Sequence, residues 1–330
     1  MDALKTRVAS SRLAKHLFGW AGANLHANPI ILVYHGVSAC PVLGPIQNWD
    51  AKHLPLDTFA GHLRMLKRWR HVVPLAEIID GLRTGKNMRR WAAITFDDGY
   101  ENNASHAAPV LADFKMCATF FLSSGYIGVD RWTWTDWLEN IFASTREKSV
   151  MPPGFAQPLP LTSAMEKRAA ITKIKTALKR MPHEHCKVSL EELAFQLGNV
   201  ESTSPHGDYR FMSWDQAREL SRGGFEIGAH TINHPILSKI PFPEARQEIL
   251  GSRDRIVAEL GKCSETFCYP NGHSSDYTAE HMALCREHFQ AALSTNQGVA
   301  DARHLYELQR FGTPRGRMAP YIEWMLFRGR

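Results

Sequence analysis

Cysteine is scarce in this 330-residue chain. The six residues, Cys40, Cys117, Cys186, Cys263, Cys268 and Cys285, stand far apart, with no CxxC pair. That excludes a disulfide framework and fits reduced thiols in a cytoplasmic setting. A strong charge of one sign is also lacking: 39 Lys and Arg stand against 33 Asp and Glu, a net +6 spread along the chain, which gives little reason to expect a nucleic acid or other polyanion. The densest basic patches, Arg64 with Lys67, Arg68 and Arg70, and Lys173 with Lys175, Lys179 and Arg180, fall in helix-like segments with no interleaved aromatics or glycines, and read as solvated helix faces. There is no repeat and no low-complexity segment. The apolar run Leu17 to Ala23 is too short to span a bilayer. Residues 1–28, with Lys5, Arg7, Arg12 and Lys15 ahead of that run, instead predict an amphipathic basic helix lying on the protein body or on a membrane, the latter through Leu4, Val8, Leu17 and Trp20. The expected location is cytoplasmic, peripheral at the inner membrane face.

What is present is ample core material, 44% hydrophobic against 22% charged residues, enough for one large or two ordinary domains. Residues 29–330 alternate strand and helix. Continuous apolar runs at Ile30 to Tyr34, Ile94 to Phe96, Ala118 to Leu122, Phe225 to Ala229, Thr266 to Tyr269 and Ala291 to Ser294 read as strands buried on both faces, as parallel sheets require. A last strand is expected at Tyr306 to Arg310. Helical spacing falls at Thr58 to Trp69, Ala104 to Phe114, the Trp-rich Asp130 to Phe142, Ser213 to Arg222, Pro243 to Leu260 and Tyr277 to Glu287. The helix at Ser213 opens with a capping-box pattern, and Gly223-Gly224 closes it. Residues 144–210 break the rhythm with proline-rich loops and two further helices, Ser163 to Lys179 and Ser189 to Leu197, and read as a helical lid or flank. The fold class is therefore α/β: a distorted (β/α) barrel, complete or incomplete, with a helical insertion.

Residues at the C-terminal ends of barrel strands converge on one mouth, and the polar residues sit there: His35, Asp97 with Asp98, His230 and Asn271. Two adjacent carboxylates at the end of a buried strand need a cation, a proton or strong donors nearby. Because strand side chains alternate, both can aim at one point only if the chain turns, which Gly99 permits. His230-Thr231-Ile232-Asn233-His234 offers two imidazoles four apart, without the Glu of the HExxH pattern. With one carboxylate as third ligand, the set leaves a position open for water, and the other carboxylate can act as base.

The blocks Thr95-Phe96-Asp97-Asp98-Gly99, His230 to His234, and Thr266-Phe267-Cys268-Tyr269-Pro270-Asn271-Gly272, in that order, resemble the polysaccharide deacetylases, carbohydrate esterase family four. The resemblance spans about Ile30 to Arg315 and implies a distorted (β/α) barrel that removes acetyl groups from sugars with a divalent metal, zinc first and cobalt second. It implies Asp97 as general base, Asp98, His230 and His234 as metal ligands, and the backbone N–H of Asn271 as an oxyanion donor. Two positions depart from the pattern. Cys268 stands where many members carry an Arg that orients the base, so Arg310 is the expected substitute. The late Leu-x-His motif of the general acid reads Leu293-Ser294-Thr295, so His35 is the expected acid, ahead of His273 or Asp97 itself.

The expected function is hydrolysis of N-acetyl groups in a glycan or glycan precursor, with an N-acetylated carbohydrate as partner. The alternatives are a metal-dependent hydrolase of another small non-peptide amide and a non-catalytic carbohydrate-binding relative. A glycosidase is disfavoured, since its carboxylates flank the bond roughly 5 Å or more apart. Trp132, Trp134 and Trp137 serve either to stack sugar rings or to fill the core.

Overall fold

Apolar runs bounded by turn residues become strands wherever both backbone edges find partners. In the computed structural model, which describes residues 28–40, 44–198, 204–205 and 207–312, five strands lie between two others: β1 (Ile30–Tyr34), β5 (Trp91–Phe96), β6 (Thr119–Leu122), β9 (Glu226–Ala229) and β10 (Thr266–Cys268). They are buried almost throughout, the cause of their continuous hydrophobicity. With β11 (Ala291–Leu293) and β12 (Phe311–Gly312) they form a sheet of order β11-β10-β9-β6-β5-β1-β12, and β4 (His71–Val72) pairs beside the start of β5. Every pairing in this sheet is parallel.

The sheet curls into a distorted barrel. The expected strand at Tyr306 to Arg310 is displaced: Leu308 bridges Leu293 of β11, and Phe311 and Gly312 pair with Leu32 and Val33 of β1. One short stretch thus serves both sheet edges, which splits its pairing and holds Arg310 across the seam.

Strand alternation sorts the side chains. Ile30, Leu32, Ile94, Phe96, Phe120 and Phe267 pack outward with Phe59, Leu63 and Leu66 of α1 (Leu56–Trp69), Leu111 of α3 (Ala108–Phe114), Ala217 and Leu220 of α7 (Trp214–Arg222), Ile249 of α8 (Phe242–Leu260) and Leu284 of α9 (Ala279–His288). Ile31, Ala93, Phe121, Cys268 and Leu293 share the other face with α2 (Leu75–Thr84), and Thr95 and Asp97 continue the alternation of Ala93. The expected capping box at Ser213 forms.

The insertion and the helix that leads into it build a separate cluster. Helices α4 (Trp134–Ser144), α5 (Ala164–Leu178) and α6 (His183–Gln196) bury Leu138, Phe142, Ile171, Ile174, Leu190 and Leu193 together. Here α4 starts later than the Trp pattern implied because Thr133 caps it, and α6 starts six residues early, directly after Pro182, whose fixed φ suits a helix start. Two short strand pairs lie off this sheet: β2 (Gly36–Ser38) runs parallel to β3 (His53–Pro55), and β7 (Ser149–Val150) runs antiparallel to β8 (Leu159–Pro160). No helix among the described residues is long and apolar enough to cross a membrane. The amphipathic helix expected within residues 1–28 lies outside the described residues, apart from Asn28.

Candidate active site

The chain does turn between the two aspartates. Asp98 has φ 76° and Gly99 φ 93°, so Asp97 keeps the inward direction of its strand while Asp98 swings beside it. Asp97 is 2% exposed, a costly place for a carboxylate unless paired, and Arg310 is its partner. The guanidinium, fully buried, gives two parallel hydrogen bonds to Asp97, 2.8 Å to Oδ1 and 2.7 Å to Oδ2. Its other donors go to the Ser294 carbonyl (2.7 Å), Thr95 Oγ1 (3.1 Å) and Cys268 Sγ (3.1 Å). All five N–H groups are thus used. Burial alone would raise the Asp97 pKa; the guanidinium outweighs it and holds the carboxyl below its ordinary value. Cys268, at the position where the family pattern often has Arg, is small enough to leave that volume to Arg310.

Asp98, His230 and His234 present ligand atoms within 4.8 Å of one another. The two Nε2 atoms lie 3.4 and 3.2 Å from Asp98 Oδ1, yet that oxygen is buried without a properly formed hydrogen bond. An orphaned carboxylate oxygen facing two imidazole nitrogens fits a divalent cation. His230 Nδ1 sits 2.8 Å from the Cys268 carbonyl; a carbonyl only accepts, so Nδ1 carries the proton and Nε2 keeps its lone pair for the metal. Asp97, His230 and Cys268 also lie close together, but Arg310 already engages Asp97 and Cys268.

The His block is a loop, with Thr231 at φ 63° and His234 at φ 54°. The Thr231 hydroxyl donates to the His230 carbonyl (2.6 Å) and accepts from the His234 N–H (3.0 Å). Glu248 of α8 accepts from the Ile232 and Asn233 N–H groups at 2.8 and 2.7 Å and from the Asn233 amide at 2.7 Å. No pattern in the sequence points to Glu248, since its partners are two backbone N–H groups and one side-chain amide fifteen and sixteen residues away.

A cavity of about 160 Å³ opens over these groups. His35, Asp97, Asp98, His230, His234 and Asn271 all line it, so the structure gathers six of the seven expected site residues; Arg310 lies behind Asp97. Asn271 has φ 59° and its backbone N–H finds no acceptor among the described residues. Its carbonyl is pinned by the Thr295 hydroxyl at 2.6 Å, and Thr295 itself stands in the cavity wall where the family pattern has the acid His. His273 is exposed and outside the wall.

The expectation of solvated basic helix faces is corrected at three residues, the first being Arg70, which follows the end of α1 and is buried. Lys175 and Lys179 are not on a solvated helix face: both are half-buried and line this cavity with Lys52 and Asp50, because the face of α5 that follows its apolar stripe rests over the barrel mouth. Trp132, Trp134 and Trp137 border a separate cavity of about 630 Å³ with Tyr126 and Ile232.

The sequence model of the polysaccharide deacetylase family matches residues 84–286. The chain belongs to the polysaccharide deacetylase family. Metal dependence is the family's general property, and the Asp98, His230 and His234 group offers donors for it. YxkH of Bacillus subtilis (strain 168) is 28% identical over 111 residues, which cover 33% of this chain and 37% of that protein. Among solved structures, the deacetylase PplD of Streptococcus pyogenes in complex with acetate is similar with a TM-score of 0.59 at 17% identity, over 91% of this chain and 98% of that one. IcaB from Ammonifex degensii gives 0.58 at 17% identity, over 91% and 97%. At these identities the structural likeness is one of fold.

Proposed function

We propose that this protein is a zinc-type metal-dependent deacetylase that hydrolyses N-acetyl groups of sugars in a glycan or glycan precursor. The observation that carries the reading is an ionised, Arg-clamped carboxylate, Asp97, beside an Asp98, His230 and His234 donor set with an orphaned oxygen. Two imidazoles and one carboxylate are a catalytic zinc set, and cobalt takes the same donors.

A divalent cation held there supplies Lewis-acid polarisation of the acetyl carbonyl and acidifies a water molecule. Asp97 takes the proton of the attacking water; Arg310 fixes both carboxylate oxygens, so the base is oriented and ionised in advance. The free Asn271 N–H donates to the oxyanion that develops on the carbonyl. Collapse of the tetrahedral intermediate expels an amine, which needs a proton. Thr295 cannot supply it near neutral pH, whereas His35 lines the same cavity and can. A cytoplasmic setting belongs to the same proposal and is supported by six unpaired cysteines.

Acetate release from N-acetylglucosamine oligomers, measured with zinc or cobalt added, tests the reading. Turnover that disappears in Asp97→Asn while metal content stays is the expected result. An Asp97→Asn protein with near-normal turnover would overturn it.

A further inference from the structure

The insertion and the segment before β3 place cations in a pocket whose chemistry on a neutral sugar does not need them. Lys175 and Lys179, one helical turn apart near the end of α5, and Lys52, just before β3, line the cavity that holds Asp97 and Asp98. Lys52 Nζ lies 2.5 Å from Asp136 and 3.2 Å from the Tyr100 hydroxyl. Lys175 Nζ lies 3.3 Å from Glu139. The ammonium of Lys179 has no hydrogen bond or ion pair among the described residues. An ammonium has three donors, so Lys179 keeps three unused, Lys175 two and Lys52 one.

The opposing charges do not cancel this set. Asp97 is committed to Arg310, and Asp98 faces the imidazoles. Asp136 and Glu139, almost fully buried, hold Lys52 and Lys175 in place from behind. Asp50 is the remaining carboxylate in the wall. Asp276 acts on Lys179 through space without an ion pair, and burial, the largest influence, pulls the Lys179 pKa down. A half-buried ammonium without a partner is destabilising in the free protein and becomes favourable when an anion joins it.

Resting on the deacetylase reading above, we propose that Lys52, Lys175 and Lys179 form a subsite for an anionic substituent of the N-acetylated sugar, so that the preferred substrate is a phosphorylated or acidic sugar and not a neutral glycan. Phosphate suits the site best, because lysines bind it as compact point charges, whereas carboxylates favour the flat fork of Arg. The insertion and the segment before β3 then select the substrate that the barrel hydrolyses.

The test compares acetate release by the zinc-loaded full chain from N-acetylglucosamine 1-phosphate, from a disaccharide of N-acetylglucosamine and a uronic acid, and from a neutral N-acetylglucosamine dimer. The anionic substrates are expected to have the higher kcat/KM, and their order names the anion. Lys179→Ala should raise KM for the preferred one about tenfold, as for a lost charge-assisted hydrogen bond, with a smaller change in kcat and unchanged zinc content. Lys179→Glu should reverse the preference, Lys179→Arg should restore much of it, and Lys173→Ala, on an exposed position of the same helix, should leave it intact. Calorimetric titration with N-acetylglucosamine 1-phosphate gives a reading independent of turnover. Equal or better turnover of the neutral dimer, or a preference unmoved by Lys179→Ala and Lys179→Glu, overturns the subsite while leaving the deacetylase reading standing. Lys179-dependent binding without acetate release from any substrate overturns the deacetylase reading instead.

Discussion

Two walls face each other across the same cavity, and they are built on opposite rules. On the barrel wall the groups are fixed and nearly all buried: Asp97 is clamped by Arg310, His230 is oriented by the Cys268 carbonyl, and Asp98 is held beside the two imidazoles with one oxygen left open. On the facing wall, made by α5 and Lys52 before β3, the charges are only partly buried, their side chains are long, and several donors have no partner among the described residues. Proton transfer at a carbonyl tolerates little misplacement, so its groups are rigid in advance. Recognition of a variable substituent tolerates more. The difference fits the proposed division, with chemistry on one wall and selection on the other.

The largest expected effect tests the chemical wall. His230→Ala should remove the metal and turnover together, read by metal analysis and acetate release, and should lower the melting temperature relative to metal-loaded wild type because bound metal stabilises the folded state. Asp97→Asn should keep the metal and lose about 10²-fold to 10⁴-fold in kcat. A Lys175→Ala protein that also lost its metal would break the separation of the walls.

Next comes the clamp. Arg310→Met leaves Asp97 buried without its partner and should destabilise the fold by about 3–5 kcal/mol. The sign with pH follows from Asp97. In the wild type its folded pKa is depressed, so its contribution to stability is present above the unfolded value near 4 and is lost as pH falls through the folded value. In Arg310→Met the largest lowering influence is gone and only His230 and His35 still oppose burial, so the folded pKa rises and ionising Asp97 stabilises the variant less than it does the wild type. The gap in urea midpoints between the two proteins should therefore be wide at pH 7 and narrower at pH 4; a gap independent of pH would mean that Arg310 acts by packing alone.

The same two walls explain what the sequence could and could not disclose. Strands between two neighbours must be apolar throughout, so the barrel was readable from Ile30 to Leu293, and its polar residues drew notice by ending those runs. Arg310 could be sought because Cys268 left a base without its orienting cation, and the structure brings it onto that carboxylate. Lys175 and Lys179 gave no such signal. Their spacing was visible, but which face of α5 meets the barrel depends on how Ile171, Ile174 and Leu178 pack against α4 and α6, a tertiary fact. The final strand slipped for a related reason, its pairing being divided between β11 and β1.

The smallest expected effect asks whether the walls are also separate in stability. Both α5 and α7 begin with a capping box: Ser163 accepts from the Glu166 N–H at 3.2 Å while Glu166 accepts from the Ser163 N–H at 3.0 Å, and Ser213 with Gln216 repeats the arrangement at 3.2 and 2.8 Å. Ser163→Ala and Ser213→Ala should each cost about 1 kcal/mol. The first loosens a helix whose buried residues Ala170, Ile171, Ile174 and Leu178 belong to the separate cluster of the insertion and the helix that leads into it, and the second a helix whose Ala217 and Leu220 belong to the barrel's outer core. Amide hydrogen exchange should therefore speed up in α5 but not in β5 for Ser163→Ala, and in both α7 and β5 for Ser213→Ala, since exchange reports the cooperative unit that opens. Lys175 and Lys179 lie three turns and more from the altered cap, so Ser163→Ala should leave KM unchanged for whichever substrate is preferred. If it instead accelerates exchange in β5 as much as in α5, the insertion and the barrel open as one unit, and the two walls differ only in chemistry.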